Sequence, residues 1–144
     1  HGTLDLYCWD GGKTWVAGAD PTPEGLRNAR ATAVVAETML QAMRPGARIS
    51  ELQRLSRDTY RKAGHPDADS TITFFHGLGL SHMDVPIQRA DGQSNADWTL
   101  EAGMVVPMHL LVPGGQRERW WLEDVVHVTE QGGKPLFSWG FDPI

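Results

Sequence analysis

The sequence predicts a single α+β domain in which two helices precede an antiparallel sheet. Two segments with apolar residues at helical spacing lie in the first half of the chain, and strand-like segments separated by glycine-rich turns follow. The 144 residues, 40% of them hydrophobic and 22% charged, are enough to form a hydrophobic core. Because no repeat or domain boundary is visible, residues 1–144 are expected to form one domain.

The first helix is predicted to begin after Thr22, which can cap it, with Pro23 at its first position. The helix should end at Pro45-Gly46, because this pair interrupts the apolar periodicity. One face of the helix is apolar, formed by Leu26, Ala29, Ala33, Ala36, Leu40 and Met43.

The second helix is predicted to begin at Ser50. Its hydroxyl, together with Gln53, fits an S-x-x-Q capping box, in which two side chains satisfy the first backbone N–H groups. Gly64 is the expected end of this helix, since glycine readily adopts the left-handed conformation found after a last turn.

Strands are predicted wherever β-branched and aromatic residues dominate, and a loop is predicted over residues 77–97. The amino-terminal strand has no preceding segment with which to pair. Because an exposed sheet edge promotes association, we expect a homodimer or pairing with another chain. The predicted strands cover residues 4–16, 71–75, 104–112, 119–129 and 135–139.

A hairpin between residues 104–112 and 119–129, centred near residue 116, would place His109 directly opposite Glu123. Opposed residues share a sheet face, with Cβ atoms roughly 5 Å apart. The two side chains could therefore hold a metal ion together, or they could form an ordinary hydrogen bond. A register shift by one residue would separate them onto opposite faces.

Composition excludes several functional classes. The net charge of −5 and the scattered basic residues argue against nucleic-acid binding. Cys8 is the sole cysteine, so an internal disulfide and a CxxC metal site are both excluded. No apolar run approaches the roughly 18 residues of a membrane span, and the first residues lack a signal-peptide pattern. These features predict a cytoplasmic protein without membrane contact.

Four segments, in this order, resemble the pita-bread metallopeptidases, the family of methionine aminopeptidase, aminopeptidase P, prolidase and creatinase. DGGKTW at 10–15 is similar to D-x-x-R-T-F, and FFHGLGLSHMDVP at 74–86 to GHGIGLxxHExP. LEAGMVVPMHLLVPGG at 100–115 resembles LEPGMVFTIEPGLYVPG, and WLEDVVHVTEQG at 121–132 resembles RIEDTVLVTEDG. The resemblance implies a pita-bread fold truncated at its amino-terminal side, with helices on one face of a curved antiparallel sheet.

The resemblance also implies a metal site. Family members hold two divalent ions with two Asp, one His and two Glu. Here Asp10 matches the second Asp, His76 the His and Glu123 the second Glu, while His109 takes the place of the first Glu. The first Asp would lie before residue 1. This incomplete set implies one ion (Mn, Zn, Fe or Co) and not two.

His82 corresponds to a second family histidine, which contacts substrate or moves a proton, and it is the expected catalytic residue. It follows His76 by six positions, whereas the family spacing is seven. A different register, HGLGH in some prolidases, would put Leu80 at the ligand position. His76 is preferred because HGLGL continues into the family's GIGL.

Two arginines of the family are replaced in this chain. Trp121 takes the place of the arginine before I-E-D. Lys13 takes the place of the arginine in D-x-x-R-T-F, which keeps the charge but loses the bidentate geometry. Two further histidines are expected outside the site, with His65 in a loop and His127 in a structural role.

Three functions remain open. The first is a metal-dependent hydrolase of the Xaa-Pro peptidase type, acting on a dipeptide or small amide. The second is a metal-free or mononuclear relative, creatinase-like or a lyase acting on a small metabolite. The third is a non-catalytic module or fragment. An enzyme with a small-molecule or short-peptide substrate is favoured.

Overall fold

A computed structural model describes residues 1–88, 97–115 and 118–141. Two helices pack on an antiparallel sheet, which confirms the predicted α+β class. The elements in chain order are β1 Gly2–Leu4, β2 Tyr7–Trp9, β3 Gly12–Lys13, α1 Pro23–Ala42, α2 Ile49–Lys62, a 3₁₀ turn Ala68–Ser70, β4 Ile72–Gly77, β5 Asp84–Gln88, β6 Val105–Val112, β7 Trp120–Thr129 and β8 Gly132–Pro135. Among the described residues, neither helix has the combination of length and hydropathy that a membrane span requires.

The main sheet has the strand order β3-β7-β6-β4-β5, and β8 pairs with the second half of β7. All of its pairings are antiparallel. His109 of β6 lies opposite Glu123 of β7, as the predicted hairpin register requires, and opposite Phe74 of β4 on its other side. The strand pairing therefore fixes Phe74, His109 and Glu123 in one row across three strands.

Alternation along β6 separates the core from the site. Met108 and Leu110 are fully buried in the cluster that includes Val35 and Met39 of α1. His109 lies between them and points to the opposite face, because successive strand residues alternate. The helices therefore cover one face of the sheet, and the polar cluster forms on the other.

Helix α1 begins as predicted. The Thr22 hydroxyl accepts a hydrogen bond from Gly25 N at 3.0 Å, and Pro23 opens the helix. Its last helical residue is Ala42, three residues before the Pro45-Gly46 pair expected to end it.

The capping box predicted for α2 is wrong, because the helix begins at Ile49 and Ser50 lies inside its first turn. Asp97 supplies the cap from elsewhere in the chain. Its carboxylate accepts from Ser50 N at 3.0 Å and from Ser50 Oγ at 2.6 Å. Gln53 instead donates to the Thr73 carbonyl of β4 at 2.9 Å, so it ties the helix to the sheet. Gly64 follows the helix with φ +82°, as expected.

The single strand predicted over residues 4–16 is also wrong. β1 and β2 form a separate hairpin whose turn residues, Asp5 and Leu6, both have positive φ. β3 then pairs with β7, so the amino-terminal segment does have a partner, but one that comes over a hundred residues later.

Two further strand boundaries differ from the prediction. β5 lies within the predicted loop 77–97, of which residues 89–96 are outside the described ranges. The last strand occupies Gly132–Pro135, because it pairs with Val126–Thr129 directly after a tight turn, and residues 136–139 lie beyond it.

Candidate metal centre

Four of the residues predicted to form the site converge on the sheet face opposite the helices. Asp10 lies between β2 and β3, His76 on β4, His109 on β6 and Glu123 on β7. All four are buried, with exposed fractions between 0% and 8%. Because buried ionisable groups are costly unless they are paired or ligated, this clustering demands a chemical explanation.

Asp10, His76 and His109 bring one ligand atom each within 4.8 Å of the others. His76 Nε2 lies 2.9 Å from His109 Nε2 and 3.5 Å from Asp10 Oδ2, and His109 Nε2 lies 3.8 Å from Asp10 Oδ2. In a triangle with these three sides one point is about 2.0 Å from every corner, which matches usual zinc–nitrogen and zinc–oxygen distances. The three atoms therefore have the spacing of ligands around one small cation.

The protonation of His76 is fixed by its surroundings. Its Nδ1 lies 2.7 Å from the Gly77 carbonyl oxygen, which accepts hydrogen bonds only, so Nδ1 carries the proton. Burial lowers the pKa of His76, which favours the neutral ring. Nε2 consequently presents a lone pair towards the cluster. A ring N–H held by a backbone carbonyl is the usual arrangement behind a metal-binding histidine.

His109 is less well satisfied by protein groups alone. If His109 Nε2 donates to the lone pair of His76, a neutral His109 has no proton on Nδ1. That unprotonated Nδ1 then faces Glu123 Oε2, 3.3 Å away, and both atoms can only accept. That contact is not aligned as a hydrogen bond, and the buried Nδ1 has no other partner among the described residues. A cation on both Nε2 atoms would let His109 keep its proton on Nδ1, facing the carboxylate. The residues therefore fit a bound metal.

The two carboxyl groups perturb each other. Burial, followed by the hydrogen bond and the negative charge of Glu123, raises the pKa of Asp10 to about 6. Burial would also raise the pKa of Glu123, but the neighbouring His109, Asp10 and Trp121 side chains outweigh it and lower that pKa. The surroundings therefore favour the charged form of Glu123 and disfavour that of Asp10, at a place where a cation would offset the negative charge.

Glu123 itself lies outside the group of three atoms, because its Oε2 contacts the far side of the His109 ring. A direct bond from Glu123 to metal, expected from the sequence, stays a prediction. The structure places its carboxylate as a partner of His109.

His82 lies at the rim of the cluster. Its Nε2 is 2.8 Å from Asp10 Oδ2, and its side chain is 36% exposed. The ring of His1 stacks on it with centroids 3.9 Å apart. His82 is thus more accessible to a ligand from solvent than the buried His76 and His109.

Phe74 and Trp121 also belong to this site, although the sequence did not predict it. The Phe74 ring stacks on His109 with centroids 4.0 Å apart and planes 9° apart. Trp121 Nε1–H donates to Glu123 Oε2 at 3.1 Å. The available signal was positional: Trp121 lies two residues before Glu123, and Phe74 two before His76, so each shares a strand face with a site residue.

The remaining histidines lie outside the cluster. His65 Nδ1 accepts from Asp67 N in a turn, and its ring packs on Tyr60. His127 lies on β7, where it pairs with Val105 of β6 and with Lys134 of β8.

Comparison with known proteins gives a consistent set of relatives. The family model described as Metallopeptidase family M24 matches residues 1–130. The Bacillus subtilis (strain 168) protein named "Putative dipeptidase YkvY" is 34% identical over 147 residues, which is 98% of this chain and 37% of that protein.

Solved structures agree in fold. Dipeptidase PepE from Mycobacterium ulcerans superposes with a TM-score of 0.77 at 25% identity, covering 96% of this chain and 36% of its own. The X-Pro aminopeptidase from Thermotoga maritima gives a TM-score of 0.78 at 19% identity, covering 99% and 38%. The chain therefore spans little more than a third of the length of the relatives it matches.

Proposed function

Because this chain belongs to metallopeptidase family M24, we propose that it supplies the metal-holding part of a hydrolase that cleaves dipeptides or other small amides, of the Xaa-Pro peptidase type. The resemblance seen in the four sequence motifs is confirmed, and so is the truncated pita-bread fold that it implied. The single observation that carries the proposal is the convergence of Asp10, His76 and His109 on one point.

The ligand set favours one ion with a preference for nitrogen. Two imidazoles and one carboxylate form the set used by several catalytic zinc sites, which leave a position open for water. Imidazole ligands suit Zn²⁺, Fe²⁺ and Co²⁺ better than Mg²⁺ or Mn²⁺, which prefer carboxylates. With His109 in place of a carboxylate, the cluster has too little negative charge to hold a second cation.

The chain's own residues have distinct roles at this site. A bound divalent ion would lower the pKa of water and polarise an amide carbonyl. Asp10, His76 and His109 would hold it. His82 is exposed enough to meet a substrate, and its hydrogen bond to Asp10 orients its ring, so it can accept or deliver a proton during amide cleavage.

A second candidate function is supported by the direct contacts within the cluster, since His76 and His109 hydrogen-bond each other at 2.9 Å and His82 hydrogen-bonds Asp10 at 2.8 Å without a metal. It corresponds to a metal-free, creatinase-like enzyme or a lyase for a small metabolite, or to a non-catalytic module. The two candidates differ in one measurable property, which is metal affinity.

Self-association belongs to the same proposal. The β1–β2 hairpin exposes Leu4, Leu6 and Tyr7 at 73%, 82% and 64% of their surface. Such an apolar tip favours contact with a second copy or another chain. The cytoplasmic location stays a prediction from the sequence.

The experiment is a hydrolysis assay with the dipeptides Ala-Pro and Ala-Ala, after loading metal-stripped protein with Zn²⁺, Co²⁺ or Mn²⁺. We expect metal-dependent cleavage, with Ala-Pro preferred and with loss of activity in His76→Ala. His127→Ala is the matched control, because this histidine lies on β7 outside the cluster. Metal affinity without any cleavage would support the non-catalytic alternative, and cleavage without metal would support the metal-free enzyme.

A further inference from the structure

Glu123 is held between an indole and an imidazole. Its Oε2 accepts from Trp121 Nε1–H at 3.1 Å and faces His109 Nδ1 at 3.3 Å. The indole also meets the His109 ring edge-on, with centroids 6.2 Å apart. One carboxylate oxygen thus links a tryptophan N–H to the ring that carries a ligand nitrogen.

The backbone of Trp121 is held in place by its neighbours. Trp121 N donates to Thr14 Oγ1 at 2.9 Å, and Trp121 O accepts from Thr14 N at 2.9 Å. On its other side Trp121 is paired with Leu111 of β6. The backbone of Trp121 is therefore fixed from both sides, which limits where its Nε1 can point.

The opposite face of His109 is covered by Phe74. The two rings are nearly parallel, 9° apart, at a centroid distance of 4.0 Å, and they come from directly paired positions on β4 and β6. This stacking leaves His109 little freedom to rotate.

We propose that Trp121 and Phe74 are positioning residues that aim His109 Nε2 at the metal, Trp121 acting through Glu123 and Phe74 by stacking. The inference rests on the proposed function, since it presumes a cation at Asp10, His76 and His109. It also gives a role to Trp121, which stands where the family pattern has arginine: a neutral donor suits a site in which imidazole has replaced a charged ligand.

The chain of contacts from Trp121 through Glu123 to His109, here called the relay, has a direct consequence for metal affinity. With a cation on His109 Nε2 the ring proton would lie on Nδ1, and a carboxylate held by Trp121 would stay in place to accept it and so fix the tautomer. Removing the indole N–H would leave Glu123 free to turn away from His109. Partners behind a ligand of this kind are worth about 10- to 100-fold in metal affinity.

The test is a calorimetric titration of the metal-stripped 144-residue chain with Co²⁺, together with the visible spectrum of bound Co²⁺ and the melting temperature of the metal-free protein. Trp121→Phe keeps a ring but deletes the N–H, and Phe74→Leu keeps apolar volume but deletes the flat face. Trp120→Phe is the matched control, because Trp120 is the adjacent residue on the opposite face of β7, buried in the core at 4% exposure.

We expect Trp121→Phe and Phe74→Leu each to weaken Co²⁺ binding about 10-fold or more and to change the Co²⁺ spectrum. Trp120→Phe should lower the melting temperature and leave Co²⁺ affinity unchanged. In a Glu123→Gln background, Trp121→Phe should cause no further loss, because the two residues act through one contact.

Equal affinity in wild type and Trp121→Phe overturns the inference, as does a full additional loss in the Glu123→Gln background. If Trp121→Phe fails to fold, Phe74→Leu decides from the other face of His109 in the same way. A wild-type chain that binds no Co²⁺ overturns the proposed function and the relay with it, whereas wild-type binding with insensitive variants overturns the relay alone.

Discussion

His76 and His109 approach each other from neighbouring strands until their Nε2 atoms lie 2.9 Å apart. Both rings are buried and both turn their other nitrogen towards an oxygen, the Gly77 carbonyl for His76 and the Glu123 carboxylate for His109. Two Nε2 atoms this close to each other and to the Asp10 carboxylate are the basis for placing a single cation here.

His109→Glu restores the carboxylate of the family pattern. The variant places three carboxyl groups together, so we expect it to melt at a lower temperature than wild type when both are metal-free. It should bind Mn²⁺ more tightly than wild type does, because Mn²⁺ prefers oxygen ligands. Melting curves with and without Mn²⁺ test this expectation. A destabilised variant that gains nothing from Mn²⁺ would show that the site is structural.

Glu123→Gln removes the charge that faces His109 Nδ1 while keeping the shape of the side chain. We expect Zn²⁺ affinity to fall about 10- to 100-fold, because the carboxylate no longer orients the imidazole. Glu130→Gln, an exposed glutamate in the turn after β7, is the control and should bind like wild type. A complete loss of binding in Glu123→Gln would instead indicate that Glu123 is itself a ligand.

Asp124 predicts a pH dependence of stability. It is fully buried, and burial raises its pKa from 3.8 to about 6, although backbone N–H groups such as that of Phe137 partly oppose the shift. A raised carboxyl pKa means that the folded state binds the proton more tightly, so stability from this group is present at low pH and is lost as pH rises through about 6.

The measurement compares wild type with Asp124→Asn by urea denaturation between about pH 4 and pH 8. Relative to the variant, wild type should lose up to about 3 kcal/mol of unfolding free energy over this range, since two pKa units correspond to that amount. A difference between the two proteins that does not change with pH would contradict the burial argument.

Leu6 lies in the β1–β2 turn with φ +73°, next to Asp5 with φ +48°. Turns of this kind favour Asn or Gly, so Leu6→Asn should leave the monomer at least as stable as wild type. It should also weaken self-association, because it removes an apolar side chain that is 82% exposed. Sedimentation velocity over a concentration series measures this, with Leu136→Asn as an exposed-leucine control. A wild-type chain that stays monomeric throughout would contradict the expectation.

The pairing of His109 with Glu123 could be predicted from the sequence because both strands are long and the turn between them is short, which leaves few registers. The cap of α2 could not, because Asp97 lies 47 residues from Ser50 and competes with the local capping box. The pairing of β3 with β7 was missed for the same reason, since Thr14 and Trp121 are 107 residues apart.

Only the ionisable residues of the site could be predicted from the sequence. Asp10, His76, His82 and His109 are chemically conspicuous, and the structure brings them together. Tryptophan is common in protein cores, so the sequence did not single out Trp121. Its hydrogen bond to Glu123 could be recognised only once the strand faces were known.

The number of metal ions bound per chain tests the single-cation site itself, and it is measured by elemental analysis after dialysis of the protein against a limited excess of Zn²⁺. We predict one ion per chain in wild type and in His127→Ala, and none in His76→Ala. No bound zinc in wild type, or two ions per chain, would contradict a single nitrogen-rich site formed by Asp10, His76 and His109.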